Sequence, residues 1–206
     1  MNRSTLLAGL FLVFYTATSA PEAVAVTYSG SFDETVPEAN ALGISSSLVL
    51  VDDVVISSLS VAVTIDHPWI GDLTMTLTAP DGTRIVLLDR PGLAPGAGLG
   101  ACCGSGADLN SITFDDAATL AAEDIVSSFD LNPVAAPTDL LASLNGLAVT
   151  GVWTLTIADF AQGQMNTVAP SWSLIVNESI QPVPLPGALG LFVVALGGIV
   201  SCRAKS

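Results

Sequence analysis

The chain is expected to fold as an all-β domain, an antiparallel jelly roll or β-sandwich of about eight strands. Three observations lead there. Apolar residues alternate with Ser and Thr at period two in several short runs, the signature of strands with one buried face. Gly, Pro, Asn and Asp clusters separate those runs. Helical periodicity is scarce between residues 26 and 178, and many short strands closed by turns suit a sandwich or jelly roll. An N-terminal signal helix and a C-terminal hydrophobic helix complete the expected architecture.

The elements follow in chain order. Asn2 and Arg3, then apolar Leu6 to Tyr15, form the pattern of a secretory signal, and the small-x-small run Ala23-Val24-Ala25 places the mature start near Val26. Residues 1–25 are therefore read as a signal peptide and 26–178 as one folded domain. Leu48 to Leu50 and Val54 to Ile56 are candidate strands. Leu59, Val61, Val63 and Ile65 alternate with Ser60, Ala62, Thr64 and Asp66, and lead into the densest loop of the chain, His67-Pro68-Trp69-Ile70-Gly71-Asp72. Leu73, Met75 and Leu77 then alternate with Thr74, Thr76 and Thr78. Ala79-Pro80-Asp81-Gly82 is a turn, with Pro preset for its second position and Gly for its fourth, and Thr83 to Leu88 returns as the partner strand.

Pro91 to Asn110, rich in Gly, Ala and Pro, reads as a long surface loop. Ala117 to Ile125 is expected to form a helical turn or short helix, and Pro137 to Leu144 a brief helical or extended segment. Trp153, Leu155 and Ile157 mark a further strand, Ser171 to Val176 the last one, and Asp159 to Pro170 the link between them. Pro182, Pro184 and Pro186 make 179–186 a linker. Residues 187–202 are apolar enough for a membrane helix, at the short edge of the roughly 17–25 residues a span needs. Arg203 and Lys205 in the tail, residues 203–206, should stay cytoplasmic and leave the bulk of the chain outside.

Composition narrows the function. Residues 26–178 hold 18 Asp and Glu against Arg84 and Arg90 alone, with no Lys. Such a domain lacks the positive footprint that nucleic acid or anionic lipid requires. Acidity of this kind suits solubility outside the cell, or calcium, which favours carboxylate oxygens in loops. The candidate calcium ligands are Asp66, Asp72, Asp115, Asp116 and Asp159, although no Asp-x-Asp-x-Asp-Gly run exists. Cys102 and Cys103 are adjacent in a glycine-rich loop. Thiols oxidise outside the cytoplasm, so the pair reads as a vicinal disulfide; a metal site would need further His or Cys beside it.

A Ser-His-Asp protease needs a histidine as proton shuttle. His67 is the single histidine of the chain, and no Gly-x-Ser-x-Gly motif is present. His67 and Asp72 are therefore read as braces of the loop, through a bond between them or to backbone. Trp153 and Trp172 fall on apolar strand faces and are expected in the core. Trp69, in the loop with Gly71, is the aromatic residue positioned for contact with a partner.

Three stretches resemble the P domain, or P/Homo B domain, of the kexin/furin-like proprotein convertases. His67-Pro-Trp-Ile-Gly-Asp-Leu73, running into Leu77-Thr-Ala-Pro-Asp-Gly-Thr83, is similar to its His-x-aromatic-x-Gly-Asp-Leu segment. Thr113-Phe-Asp-Asp116 resembles its Thr-Phe-Asp-Asp turn. Gly151-Val-Trp-Thr-Leu155 through Asp159, with Ser171-Trp-Ser-Leu174, resembles its closing strands. The resemblance implies a jelly roll that packs on a subtilisin-like catalytic domain and supports its folding; no such catalytic domain stands in this chain. Val183-Pro184-Leu185-Pro186, the apolar stretch and the basic end are similar to a PEP-CTERM sorting tail of the VPLPA variant. That resemblance implies a Gram-negative protein held in the inner membrane facing the periplasm, processed by an exosortase-type enzyme, and delivered to the surface or matrix. The function expected is a non-catalytic envelope module that binds protein or an extracellular polymer. The alternative is a trans-acting accessory domain of a subtilisin-like serine protease, and an intrinsic hydrolase ranks last.

Overall fold

Alternation of apolar with hydroxyl side chains builds the strands. In the computed structural model, which describes residues 25–94, 98, 104–125, 132–163 and 168–178, nine strands form two sheets. They are β1 (Ala25–Ser31), β2 (Asn40–Leu50), β3 (Ile56–His67), β4 (Leu73–Thr78), β5 (Arg84–Asp89), β6 (Leu109–Phe114), β7 (Val134–Ala135), β8 (Gly151–Asp159) and β9 (Ser171–Glu178). One sheet has the order β1-β9-β3-β6-β7 and the other β2-β8-β4-β5. All pairings are antiparallel except β6 with β7. Among the described residues helix is confined to three short 3-10 turns, Ile70–Asp72, Ala122–Asp124 and Leu141–Leu144.

The inward residues of both sheets meet in one core. Val61, Val63 and Ile65 of β3 and Trp172, Leu174 and Val176 of β9 face Met75 and Leu77 of β4 and Trp153, Leu155 and Ile157 of β8. Both core tryptophans expected from the sequence are buried, and each indole N–H finds an acceptor, as a buried polar atom must. Trp153 Nε1 donates to Val149 O at 2.7 Å. Trp172 Nε1 donates across the sandwich to Ser46 Oγ at 3.0 Å, and that hydroxyl donates on to Ser31 O at 2.7 Å. The outward positions carry the hydroxyls: Ser45 and Ser47 of β2 bond Thr156 and Thr154 of β8 at 2.8 and 2.9 Å.

Several expectations are met and several corrected. The Leu59–Ile65, Leu73–Thr78, Trp153–Ile157 and Ser171–Val176 strands all form. The Ala79–Gly82 turn closes with Gly82 N–H on Ala79 O at 2.9 Å, and β5 returns beside β4. The described residues hold nine strands against the about eight expected; β7, two residues long, is the shortest, and it pairs parallel. Val54 to Ile56 is not a separate strand, since Val55 makes an isolated bridge to Ala148 and Ile56 opens β3. The signal region, Cys102 and Cys103, the Val183–Pro186 motif, the apolar stretch 187–202 and the basic tail lie outside the described residues. Among the described residues no helix is long and apolar enough to cross a membrane.

Register gives the sandwich two distinct poles. Ala25 pairs with Asn177 and Ile56 with Glu178, so the first strand starts and the last strand ends at one pole. β3 runs from that pole to His67, which pairs with Leu109 at the other. The ends of β3, β5 and β8 and the start of β4 thus bring His67, Asp72, Arg90 and Asp159 together, at the pole opposite the start of β1 and the end of β9.

Candidate functional site

The densest loop of the sequence forms a buried polar cluster at the second pole. His67, the last residue of β3, is 1% exposed, and Asp159, the last residue of β8, also 1%. Trp69 N–H lies 3.2 Å from His67 Nδ1 and Asp159 Oδ2 lies 3.2 Å from Nε2. A ring nitrogen that accepts a backbone N–H carries no proton, so Nε2 holds it and donates to Asp159. The other oxygen of Asp159 accepts Ala161 N–H at 2.9 Å. Of the two bonds expected of His67, the one to backbone is the Trp69 amide, while the carboxylate it meets is Asp159, 92 residues further along the chain, and not Asp72. The reason is topological, because β8 and β3 end at the same pole.

Asp72 ends the 3-10 turn Ile70–Asp72 and is buried. Its N–H donates to Trp69 O at 3.1 Å and its carbonyl accepts Phe160 N–H at 2.9 Å. Burial holds its carboxyl above the usual carboxylate range, and the neighbouring Asp159 charge pushes the same way; His67 and Arg90 oppose them. Arg90, which the sequence reading passed over, is 1% exposed and has a positive φ of 54°. Its Nε donates to Gly71 O at 3.3 Å, a second guanidinium nitrogen donates to Gly98 O at 2.9 Å, and the group lies 5.2 Å from the centre of the Phe160 ring. The signal that could have found Arg90 is its rarity, as one of two cations in the acidic domain.

Gly71 is required by contact. Its N–H donates to Ser105 O at 2.9 Å, and a Cβ there would stand 2.3 Å from Ser105 N. Trp69 is half-buried and not freely presented: its ring lies against Gly106, where a Cβ would come within 3.0 Å. The loop and the Gly104–Ala107 segment thus close on each other by backbone, and Ile70 N–H adds a bond to Ala107 O at 2.9 Å.

The Thr113–Asp116 turn lies elsewhere and fastens a different corner. Phe114 is fully buried. Asp115 accepts Ser60 Oγ–H at 2.9 Å and Ala117 N–H at 2.8 Å. Asp116 accepts Leu141 N–H at 2.9 Å and Ala142 N–H at 2.7 Å, capping the 3-10 turn Leu141–Leu144 from another part of the chain. These carboxylates line an open cleft of about 380 Å³ with Ser58, Ser60, Ala142 and Asn145.

The five calcium candidates therefore do not converge. Asp72 and Asp159 flank His67, Asp66 is exposed one residue before it, and the oxygens of Asp115 and Asp116 are taken up by backbone and hydroxyl donors. Among the described residues no group of three or more His, Cys, Asp or Glu is placed to hold a metal ion. Nor does the His67 cluster make a nucleophile–base pair: the ring's two bonds go to a backbone amide and a carboxylate, neither a nucleophile for acyl transfer.

Two solved structures of an Aeromonas sobria serine protease are similar, one of the protease with its chaperone and one of the protease itself. Each match covers 78% of this chain at 16% identity, with TM-scores of 0.47 and 0.46. This chain spans only 28% of the length of each of those chains. No curated protein matches. A sequence model described as the proprotein convertase P-domain matches residues 56–176, from the start of β3 through the last buried residue of β9. With more than half of its length under that match, the chain belongs to the proprotein convertase P-domain family, whose domain is a non-catalytic accessory of subtilisin-like proteases.

Proposed function

We infer that this chain is an exported binding module that acts on a subtilisin-like serine protease as an accessory P domain. The observation that carries the reading is the His67 cluster, in which the single histidine is tied up by Trp69 N–H and Asp159. The loop that resembles the family most is thus spent on holding β3, β4 and β8 at one pole, and function rests with the surface that this framework supports. The strand order also supports a jelly roll: β1-β9-β3-β6 in one sheet faces β2-β8-β4-β5 in the other, so the first and last strands pair and the chain crosses between sheets at every step except β4 to β5 and β6 to β7. A second reading, presentation at the envelope for contact with matrix, draws on the Val183–Pro186 motif and the apolar stretch behind it. The uncharged hydroxyl face of Ser45, Ser47, Thr154 and Thr156 suits a neutral hydrated polymer.

A pull-down with the full chain from the native envelope, read by mass spectrometry, tests both. Recovery of a subtilisin-like protease, whose melting temperature rises when the chain is added, is the expected result. Recovery of envelope polymer with no protease favours the second reading. Peptide cleavage by the purified chain that vanishes with His67→Ala would overturn both.

A further inference from the structure

The two sides of the sandwich treat their sheet edges differently. On one side β5 is covered. Asp139 accepts Val86 N–H at 2.9 Å and its own N–H donates to Val86 O at 2.8 Å. Thr138 N–H donates to Leu87 O at 3.3 Å, and Glu123 accepts Asp89 N–H at 2.8 Å. On the other side lie β1 and β2, and the fourth edge strand is β7, only two residues long. Ser46 takes up the carbonyl of Ser31 at the end of β1. The first part of β2 is guarded by a bulge between Asn40 and Ile44, where Gly43 has a φ of +61°.

From Ile44 to Leu50 the strand runs in unbroken register with β8, and no hydrogen bond from another described residue reaches its outer backbone. Proteins guard such edges with Lys, Pro, charge or bulges. The stretch Ile44–Val51 holds none of these. It holds Val49 and Val51 instead, 73% and 82% exposed, with Val152 beside Val49 at 49%.

Charge decides what fits there. The chain has a net charge of −14, yet Asn40 to Val51 contains no charged residue. A cationic partner is drawn to the acidic loops, not to this strand. A second copy of the same acidic chain is repelled over most of the surface and least along this uncharged edge. Antiparallel pairing of a strand with its own copy also closes about a two-fold axis, so each copy covers the other's edge and growth stops.

We propose that Ile44–Val51 is a self-association edge, which pairs antiparallel with the same segment of a second copy and makes one continuous sheet across a dimer. The test is the molar mass of the purified full chain in detergent micelles, by light scattering over a concentration series. A mass of two chains is expected for the native protein, and of one chain for Val49→Lys with Val51→Lys, while Thr76→Lys in the middle of the same outer face keeps the dimer. A native chain that is monomeric at every concentration overturns the proposal, and so does a dimer that survives both β2 lysines. If the lysine variants lose their fold by circular dichroism, disulfide trapping replaces them, with Cys102, Cys103 and Cys202 changed to Ser. Ser47→Cys, the outward residue nearest the two-fold axis, should then cross-link under mild oxidation and Thr76→Cys should not; cross-linking at Thr76 alone overturns the assignment.

Discussion

At the scale of single residues, His67 and Asp72 behave as complementary parts of one buried device. His67 gives Asp159 its proton donor and the Trp69 amide its acceptor. His67→Ala removes both and leaves the Asp159 carboxylate buried beside Asp72. Breaking one side of a buried pair of this kind costs about 3 kcal/mol, and urea unfolding followed by circular dichroism should register that loss. Asp72 answers to pH. Its carboxyl is held above the ordinary range chiefly by burial, so the folded state favours the protonated form. The stability this contributes is full below the carboxyl's unfolded value and is lost as pH rises through the folded one. Compared with Asp72→Asn, the native chain should therefore gain relative stability as pH falls from 7 towards 4. Urea midpoints of the two proteins at both pH values measure the difference. A gap that widens in the native chain's favour at pH 7 would contradict the assignment. The sequence singles out His67 and Asp72 in this loop but not Asp159, because the His67–Asp159 contact depends on where two distant strands end.

At the scale of elements, legibility followed side-chain alternation. β3, β4, β8 and β9 each set bulky apolar residues against Ser or Thr, and the sequence pattern announced them. β1 and residues 41–47 of β2 are mostly Ser, Gly and Ala, so their burial signal is weak. β6 was hidden because its inward residues Leu109, Ile112 and Phe114 are interrupted by the register shift between Thr64 and His67 of β3. The Thr113–Asp116 turn was recognised as a motif, yet its purpose needed the fold. Asp116 caps a 3-10 turn from 25 residues away, through two backbone amides. Asp116→Ala should cost about 1–2 kcal/mol, as loss of a capping carboxylate does. Hydrogen exchange should place the loss at the Leu141 and Ala142 amides, while the His67 pole keeps its protection. Uniform loss of protection across both corners would mean that the cap is not local.

At the scale of the whole molecule, the uneven charge is the dominant property. Between residues 26 and 178, 18 acidic side chains face two arginines, and one of these, Arg90, is buried against Gly71 O and Phe160. Arg84 is left as the exposed cation of the folded domain. Such a surface repels itself, and the compact state bears more of that repulsion than the expanded one. Salt should relieve it, because the screening length shortens from about 30 Å at 0.01 M to about 8 Å at 0.15 M. The melting temperature at pH 7 should therefore rise by several degrees over that range. Two kinds of carboxylate can be told apart in the same experiment. Asp52 and Asp53 are exposed in the β2–β3 loop, and Asp52→Asn with Asp53→Asn should raise the melting temperature in low salt and shrink the salt response. Asp116→Asn should lower it at every salt concentration, since its oxygens are bound to backbone amides and not spent on the surface field. A melting temperature indifferent to salt in all three proteins would show that the acidic surface is no burden on the fold, and would also remove the repulsion argument that singles out the uncharged β2 edge for a second copy.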